Sequence, residues 1–552
     1  PELAPDKSNY RNIALLRSAF NSSSHDYNLT AQLVTDGIVT DQQPQYLILS
    51  TPAGEAPRRE REWMIDEGPY SRNTFEGADT YFQFALKNYS KQADKLVLTG
   101  TLIYDDQLAK DGYEIICQGS NDGQNWTEVG KLSGKGLPGD AVRYRMPVTD
   151  PNKQTEQISM PVRKLNETIT FDKEANYSNY RVLLKMAGAY SWVFTAADFY
   201  NKGGMVEMKP SQFFNSAWMS ATTGEEWLYV DLGSQSEFDK VVLRWINKAV
   251  KGKVQVSDNA EQWTDVAELP GGEELVDEIS LNGKKNARYV RILMQQPAND
   301  SRYILSELEV MGKGGLVPQP VAAPAALKDE IYLSGGNWKL QRASEITATG
   351  EEISTPGFQP ENWVVATVPG TVLSSYKNIG AIADPNYADN QLQISESFFN
   401  SDFWYRDEFE VPADFKQDRV FLNFDGINWK ANVYVNGKQA GRIEGAFMRG
   451  KFDVTDLIVP GKNVVAVEII KNQHIGAIKE KNAQSTDFNG GILGADNPTF
   501  HATIGWDWIP TMRGRNIGIW NDVFLTTTGK VTVADPLVKS VLPLPDTTSA
   551  KL

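Results

Sequence analysis

Gln118-Gly-Ser-Asn-Asp-Gly-Gln-Asn-Trp126-Thr-Glu-Val129 and Gln255-Val-Ser-Asp-Asn-Ala-Glu-Gln-Trp263-Thr-Asp-Val266 are two spellings of one pattern. In both, the tryptophan falls six positions after the serine. The polar stretch reads as a turn leaving a strand, and the tryptophan as an apolar plug folding back behind it. The match extends in both directions. Upstream, Tyr81-Phe-Gln-Phe-Ala-Leu86 and Ala93-Asp-Lys-Leu-Val-Leu98 correspond to Trp227-Leu-Tyr-Val-Asp-Leu232 and Phe238-Asp-Lys-Val-Val-Leu243. Downstream, Asn179-Tyr-Arg-Val-Leu-Leu184 corresponds to Arg288-Tyr-Val-Arg-Ile-Leu293. Three segments recurring in the same order mean that the chain opens with two copies of one module, the first carrying longer insertions. Each segment is short, alternating or β-branched and bounded by Gly, Asn, Asp or Pro, the texture of β-sandwiches. The fold class is therefore all-β, built of tandem jelly-roll sandwiches.

With 552 residues the chain exceeds a single core. Leu316-Val-Pro-Gln-Pro-Val-Ala-Ala-Pro-Ala-Ala326 is a semi-extended linker, and another β module follows it. Acidic residues outnumber basic ones, 70 to 55, and the net charge of −15 disfavours a nucleic-acid partner. The one cysteine, Cys117, excludes a disulfide framework within the chain. His25, His474 and His501 are the only histidines and lack ligand spacing, so zinc and non-haem iron are not expected. No apolar run is long enough to span a bilayer. The chain begins with Pro1 rather than Met, and the expectation is an exported protein, periplasmic or extracellular.

The paired segments resemble the discoidin, or F5/8 type C, domain, a galactose-binding-like jelly roll common in carbohydrate-binding modules. The resemblance covers 203–315 well and 1–202 more loosely. After the 316–326 linker come Gly335-Gly-Asn-Trp-Lys-Leu340, Val368-Pro-Gly-Thr-Val-Leu373, Phe403-Trp-Tyr-Arg-Asp-Glu-Phe-Glu-Val-Pro412, Phe424-Asp-Gly-Ile-Asn-Trp429, Tyr434-Val-Asn-Gly-Lys438 and Phe452-Asp-Val-Thr-Asp-Leu457. The Asn-Gly pair predicts a type I′ hairpin. Together these resemble the sugar-binding N-terminal domain of glycoside hydrolase family 2, over 327–529. Gly505-Trp-Asp-Trp508 and Arg513-Gly-Arg-Asn-Ile-Gly-Ile-Trp520 look like its β-mannosidase, endo-β-mannosidase and exo-β-glucosaminidase branch. Lys530-Val-Thr-Val-Ala-Asp-Pro-Leu-Val538 resembles the first strand of the immunoglobulin-like domain that follows in the family, leaving 530–552 as the start of an incomplete domain.

That resemblance implies a function. The family's acid/base and nucleophile glutamates lie on a later (β/α)₈ barrel, so no catalytic residue is expected here. The expectation is the non-catalytic, carbohydrate-recognising part of a retaining exo-β-glycosidase. Its partners are an oligosaccharide or polysaccharide and the immunoglobulin-like and barrel domains. A stand-alone carbohydrate-binding or adhesion protein is the alternative. Acidic neighbours such as Glu225-Glu226 and Glu273-Glu274 read as solvated surface. Asp507, between Trp506 and Trp508, matches the position that lines the subsite of the non-reducing sugar in the family. Arg513, Arg515 and Asn516 are expected on the same rim. Trp218, Trp63 and Tyr70 are candidate ligand residues at loop tips of the discoidin-like modules, the first of which reads as a spacer. No cofactor is required. Related modules carry a structural calcium held by backbone carbonyls and a glutamate. Glu307 matches that glutamate, while Asp36-Gly37 supplies an element of the set in the other copy, where Ala196 replaces the glutamate. Each copy thus holds half a site.

Overall fold

The computed structural model describes residues 1–55, 73–77, 79–104, 112–134, 162–187, 189–206, 208, 214–322, 327–415, 418–472, 477–478, 491–492, 515–533, 536–545 and 547–551. The strands form antiparallel sheets, and the helices are short, the longest described α-helix being Val372–Asn378. The all-β expectation is met. The chain divides into two compact units, one of 1–320, 371–402 and 470–517, the other of 321–370, 403–469 and 518–552.

The first unit contains both copies of the repeated module. In the first sandwich, one sheet runs in the order Thr127–Gly134, Tyr113–Ser120, Asn179–Lys185, Asp79–Lys87, Tyr46–Thr51 and Gly54–Glu55. The other is built on Val162–Tyr177, Lys91–Tyr104 and Ala189–Asn201. Period-two alternation decides what goes inside. Along Asp79–Lys87, Phe82 and Phe84 enter the core while Tyr81 and Gln83 face out. The core is closed by Trp192, Phe194, Phe199 and Tyr180.

In the second sandwich, Glu226–Asn247 and Val276–Pro297 each run for 22 residues and serve two layers. Their pairing breaks between Asp231 and Ser236 and resumes beyond the bend. Gly233 sits in that break with φ of 78°. A Cβ there would lie 2.4 Å from Leu316 Cδ1, so both the backbone angle and the space call for glycine.

The chain's first residues belong to this second sandwich. Arg11–Asn12 pairs with Gly312 and Met311, and Ala19–Asn21 pairs with Leu228, Tyr229 and Val230. Ile13, Ala14, Ala19, Ala31 and Val34 lie in its core. The repeat predicts a first module over 1–202, yet the strands from Tyr46 to Val206 form a sandwich inserted into the second one. The reason is an edge: without Ala19–Asn21 the start of Glu226–Asn247 would present unpaired backbone groups on one side.

An excursion, 371–402, packs on the same N-terminal segment. Its helix Val372–Asn378 is capped by Thr371, whose Oγ1 accepts the Ser374 N–H at 3.1 Å. Arg17 Nη2 donates to Ile379 O at 2.7 Å, and Ser395 Oγ to Asn28 O at 2.8 Å. Gln32 Oε1 accepts the Ser395 N–H at 2.8 Å, and Tyr27 O accepts the Glu396 N–H at 2.9 Å.

The second unit is a third sandwich. A four-stranded sheet, Glu330–Tyr332, Val523–Thr528, Arg419–Phe424 and Gly450–Asp453, faces a six-stranded one centred on Phe403–Val411 and Gly461–Ile470. The expected hairpin joins Lys430–Val435 to Lys438–Glu444, with Asn436 and Gly437 both at positive φ. Beyond Thr528 the described residues hold one isolated bridge, Val541 to Lys551, and the apolar side chains of Val531, Val533 and Leu537 are exposed.

Candidate functional site

Trp506, Asp507, Trp508 and Arg513 lie outside the described residues, as do Trp63 and Tyr70. The remaining expected site residues can be placed. Arg515 is 1% exposed, and its guanidinium donates to the carbonyls of Gln391 at 3.1 Å and Ile394 at 2.6 Å. A side chain so committed anchors the 391–394 backbone, and its assignment to a sugar-binding rim is corrected accordingly. Asn516, next to it, is half-buried.

Trp218 is also corrected. It is fully buried in the second core, and its Nε1 donates to Ser23 O at 2.9 Å. Glu226 is not solvated: it is 2% exposed and accepts hydrogen bonds from the hydroxyls of Ser22, Ser23 and Thr222. Nor are Trp126 and Trp263 plugs. Both are half-buried on the outer sheet faces, each under an arginine: Arg181 Cζ lies 4.2 Å from the Trp126 ring centroid, and Arg291 Cζ lies 4.2 Å from that of Trp263. Gln118 Oε1 accepts from Arg181 Nη2 at 2.6 Å, and Gln255 Oε1 from Arg291 Nε at 2.7 Å. Arginine stacking is the shared device. It also makes Arg181 the equivalent of Arg291, one position away from a match of the two tyrosines. Tyr180 is accordingly buried, whereas Tyr289 faces outward.

The two acids expected in different copies lie in the same sandwich. Because the N-terminal segment enters the second sandwich, Asp36 and Glu307 lie close enough to repel each other. Glu307 is 2% exposed, and its Oε2 has no hydrogen-bond partner. Burial, then the Asp36 charge, pushes its pKa well above the usual carboxylate range. Ser216 Oγ donates to Asp36 Oδ2 at 2.6 Å. Two facing carboxylates with an orphaned buried oxygen fit a hard, oxygen-seeking cation. Among the described residues no group of three or more His, Cys, Asp or Glu side chains is placed to hold a metal, so any such cation would also need backbone or hydroxyl oxygens.

A cleft of about 830 Å³ in the third sandwich is lined by Ile331, Leu333, Phe409 and Val411, with Asp407 among them. Asp407 is 3% exposed, and its Oδ1 has no hydrogen-bond partner. Burial raises its pKa to about 7, opposed by the Glu408 backbone N–H and the Arg406 charge. The signal was present: Phe403, Tyr405, Asp407, Phe409 and Val411 alternate inward, so an acid stands in an apolar row.

Among the described residues no helix is long and apolar enough to cross a membrane. Residues 338–521 match the family described as Glycosyl hydrolase 2 galactose-binding domain-like, and residues 195–308 match the F5/8 type C domain. The chain is 35% identical over 206 residues to a mannosylglycoprotein endo-beta-mannosidase of Lilium longiflorum, covering 36% of this chain and 21% of that protein. It is 31% identical over 239 residues to an exo-beta-D-glucosaminidase of Streptomyces avermitilis, covering 43% of this chain and 23% of that protein. A similar enzyme of Amycolatopsis orientalis is 27% identical over 222 residues, covering 40% and 19%. The chain thus spans about a fifth of the length of the curated relatives it matches. By its matched segments and their folds, the chain carries an F5/8 type C domain followed by the galactose-binding-like N-terminal domain of glycosyl hydrolase family 2.

Proposed function

We propose that this chain is the non-catalytic, carbohydrate-recognising N-terminal part of an exported family 2 glycoside hydrolase that removes β-linked mannose or glucosamine from chain ends. The observation that carries this reading is the family 2 match over 338–521, with relatives named as β-mannosidases and glucosaminidases. The tryptophans and acid at 506–508 serve the sugar subsite in this reading. Asp507 accepts hydrogen bonds from sugar hydroxyls while a tryptophan ring covers the apolar face of the sugar. Glu307 and Asp36 hold a structural calcium that pins the N-terminal segment to the second sandwich. The exposed apolar residues Val531, Val533 and Leu537 are suited to the start of an immunoglobulin-like domain.

The test is direct. Incubated with nitrophenyl β-mannoside, β-glucosaminide and β-galactoside, the chain should release no nitrophenol. Turnover on any of the three, with host enzymes excluded, refutes the non-catalytic reading. In the full-length enzyme Asp507→Ala should lower kcat/KM by roughly tenfold to a thousandfold.

A further inference from the structure

A concavity of about 700 Å³ lies on the outer surface of the first sandwich, over the sheet that carries the Arg181 clamp. Ser50, Gln83 and Asn179 line it, and the turns at 88–90 and 121–123 add Tyr89 and Asn121. Ser50 stands opposite Gln83, and Gln83 opposite Arg181. The second sandwich repeats this lattice with different side chains. Phe20 stands opposite Tyr229, and Tyr229 opposite Arg291. Tyr289 precedes Arg291 by two positions, as Asn179 precedes Arg181. There the rings fill the space: Phe20 stacks on Tyr229 at 5.0 Å, Trp227 on Tyr229 at 5.5 Å, and Tyr289 meets Tyr229 edge-on at 6.0 Å.

We infer that the concavity of the first sandwich is a binding site for a short, uncharged oligosaccharide of hexopyranose units, and that the ring-filled face of the second holds no equivalent. The lining selects the ligand class. Gln83 and Ser50 present an amide and a hydroxyl that are hydrogen-bonded to no described residue. Asn121 spends its carbonyl oxygen on the Ser178 N–H at 3.0 Å and keeps its amide hydrogens; Asn88 spends an amide hydrogen on Pro44 O and keeps its oxygen. Hydroxyl-rich ligands match such alternating donors and acceptors. An apolar ligand would strand those amides without partners. An anion would meet the carboxylates of Glu55 and Asp122, which outnumber the lining's one cation, Lys87. The site lies within the size range of small-ligand pockets. The carbohydrate class rests on the reading above, but the site requires no hydrolytic activity.

The test titrates the 552-residue chain with N-acetylated chitotriose, mannotriose and cellotriose by calorimetry. At least one should bind. Gln83→Tyr combined with Ser50→Phe, which installs the rings of the second copy, should weaken that binding at least tenfold. Tyr229→Gln in the second copy should leave it unchanged. Should the filled variant fail to fold, Gln83→Ala removes the floor amide without adding bulk and should weaken binding several-fold. Failure of all three sugars to bind overturns the inference, as does undiminished binding in a folded filled variant. Neither result touches the hydrolase reading, which the nitrophenyl assay decides separately.

Discussion

The two copies of the repeated module keep their clamp and differ in nearly everything around it. Gln118, Trp126 and Arg181 occupy the same positions as Gln255, Trp263 and Arg291, with the same 4.2 Å stacking. The first core is closed by aromatic and aliphatic groups. The second buries charge. Lys248 and Asp277 are each 2% exposed and paired at 2.9 Å, Trp245 Nε1 donates to Asp277, and Glu307 faces Asp36. The first copy is complete within its own insertion, whereas the second borrows its edge strand, part of its core and half of its acid pair from the chain's start. A repeat visible in sequence thus need not coincide with a unit of folding.

Removal of residues 1–36 should have the largest effect. The second sandwich should unfold, losing strand pairing and the core side chains of Ile13, Ala19 and Val34, while the first stays folded. Hydrogen exchange should show full protection at Phe82 and Phe84 and none at Val230 or Ile292; equal loss in both would mean that the copies are not independent.

Asp407 sharpens the contrast with Asp277, since both are buried but only Asp277 has a lysine partner. Its folded pKa, about 7, lies above the ordinary 3.8. The folded state therefore holds the proton more tightly than the unfolded one. The stability this supplies is complete below pH 4 and is lost as pH rises through 7. A shift of this size is worth up to about 4 kcal/mol. Asp407→Asn should flatten the fall in the third sandwich's melting temperature between about pH 4 and pH 7. An unchanged slope would show that the acid is solvated.

The acid pair predicts a response confined to the second copy. Calcium at a hundredfold excess over its Kd should add about 2.7 kcal/mol, read as a rise in the second melting transition that EDTA reverses and Glu307→Gln abolishes. Without the ion, the raised Glu307 pKa should make that transition fall as pH rises.

The smallest expected effects come from the clamp itself. Arg181→Ala and Arg291→Ala should each cost about 0.5–2 kcal/mol, and by similar amounts. A cost several times larger in one copy would mean that the shared geometry conceals different roles.

The all-β class, the Asn436-Gly437 hairpin and the family 2 strands were legible because alternation and turn chemistry act locally. The insertion was not, because Ala19-Phe-Asn carries no repeat signal: its place is fixed by the unpaired edge of a strand more than 200 residues later. Trp218 was misjudged because a tryptophan near a turn looks the same whether its indole N–H meets a ligand or Ser23 O. Arg515 failed for a related reason, since a guanidinium gives no sign in sequence that backbone carbonyls will claim it. Asp36 and Glu307 were both singled out, but assigned to different copies; only the threading of the chain brings them together.

That threading also sets a schedule. Arg11 donates to Gly315 O across 304 residues, so the chain's first strands leave the ribosome long before the strands that receive them exist. The inserted sandwich, local in its contacts, can form while they wait. The second closes last, over a long-range search that slows folding and leaves Ile13, Ala19 and Val34 exposed in the meantime.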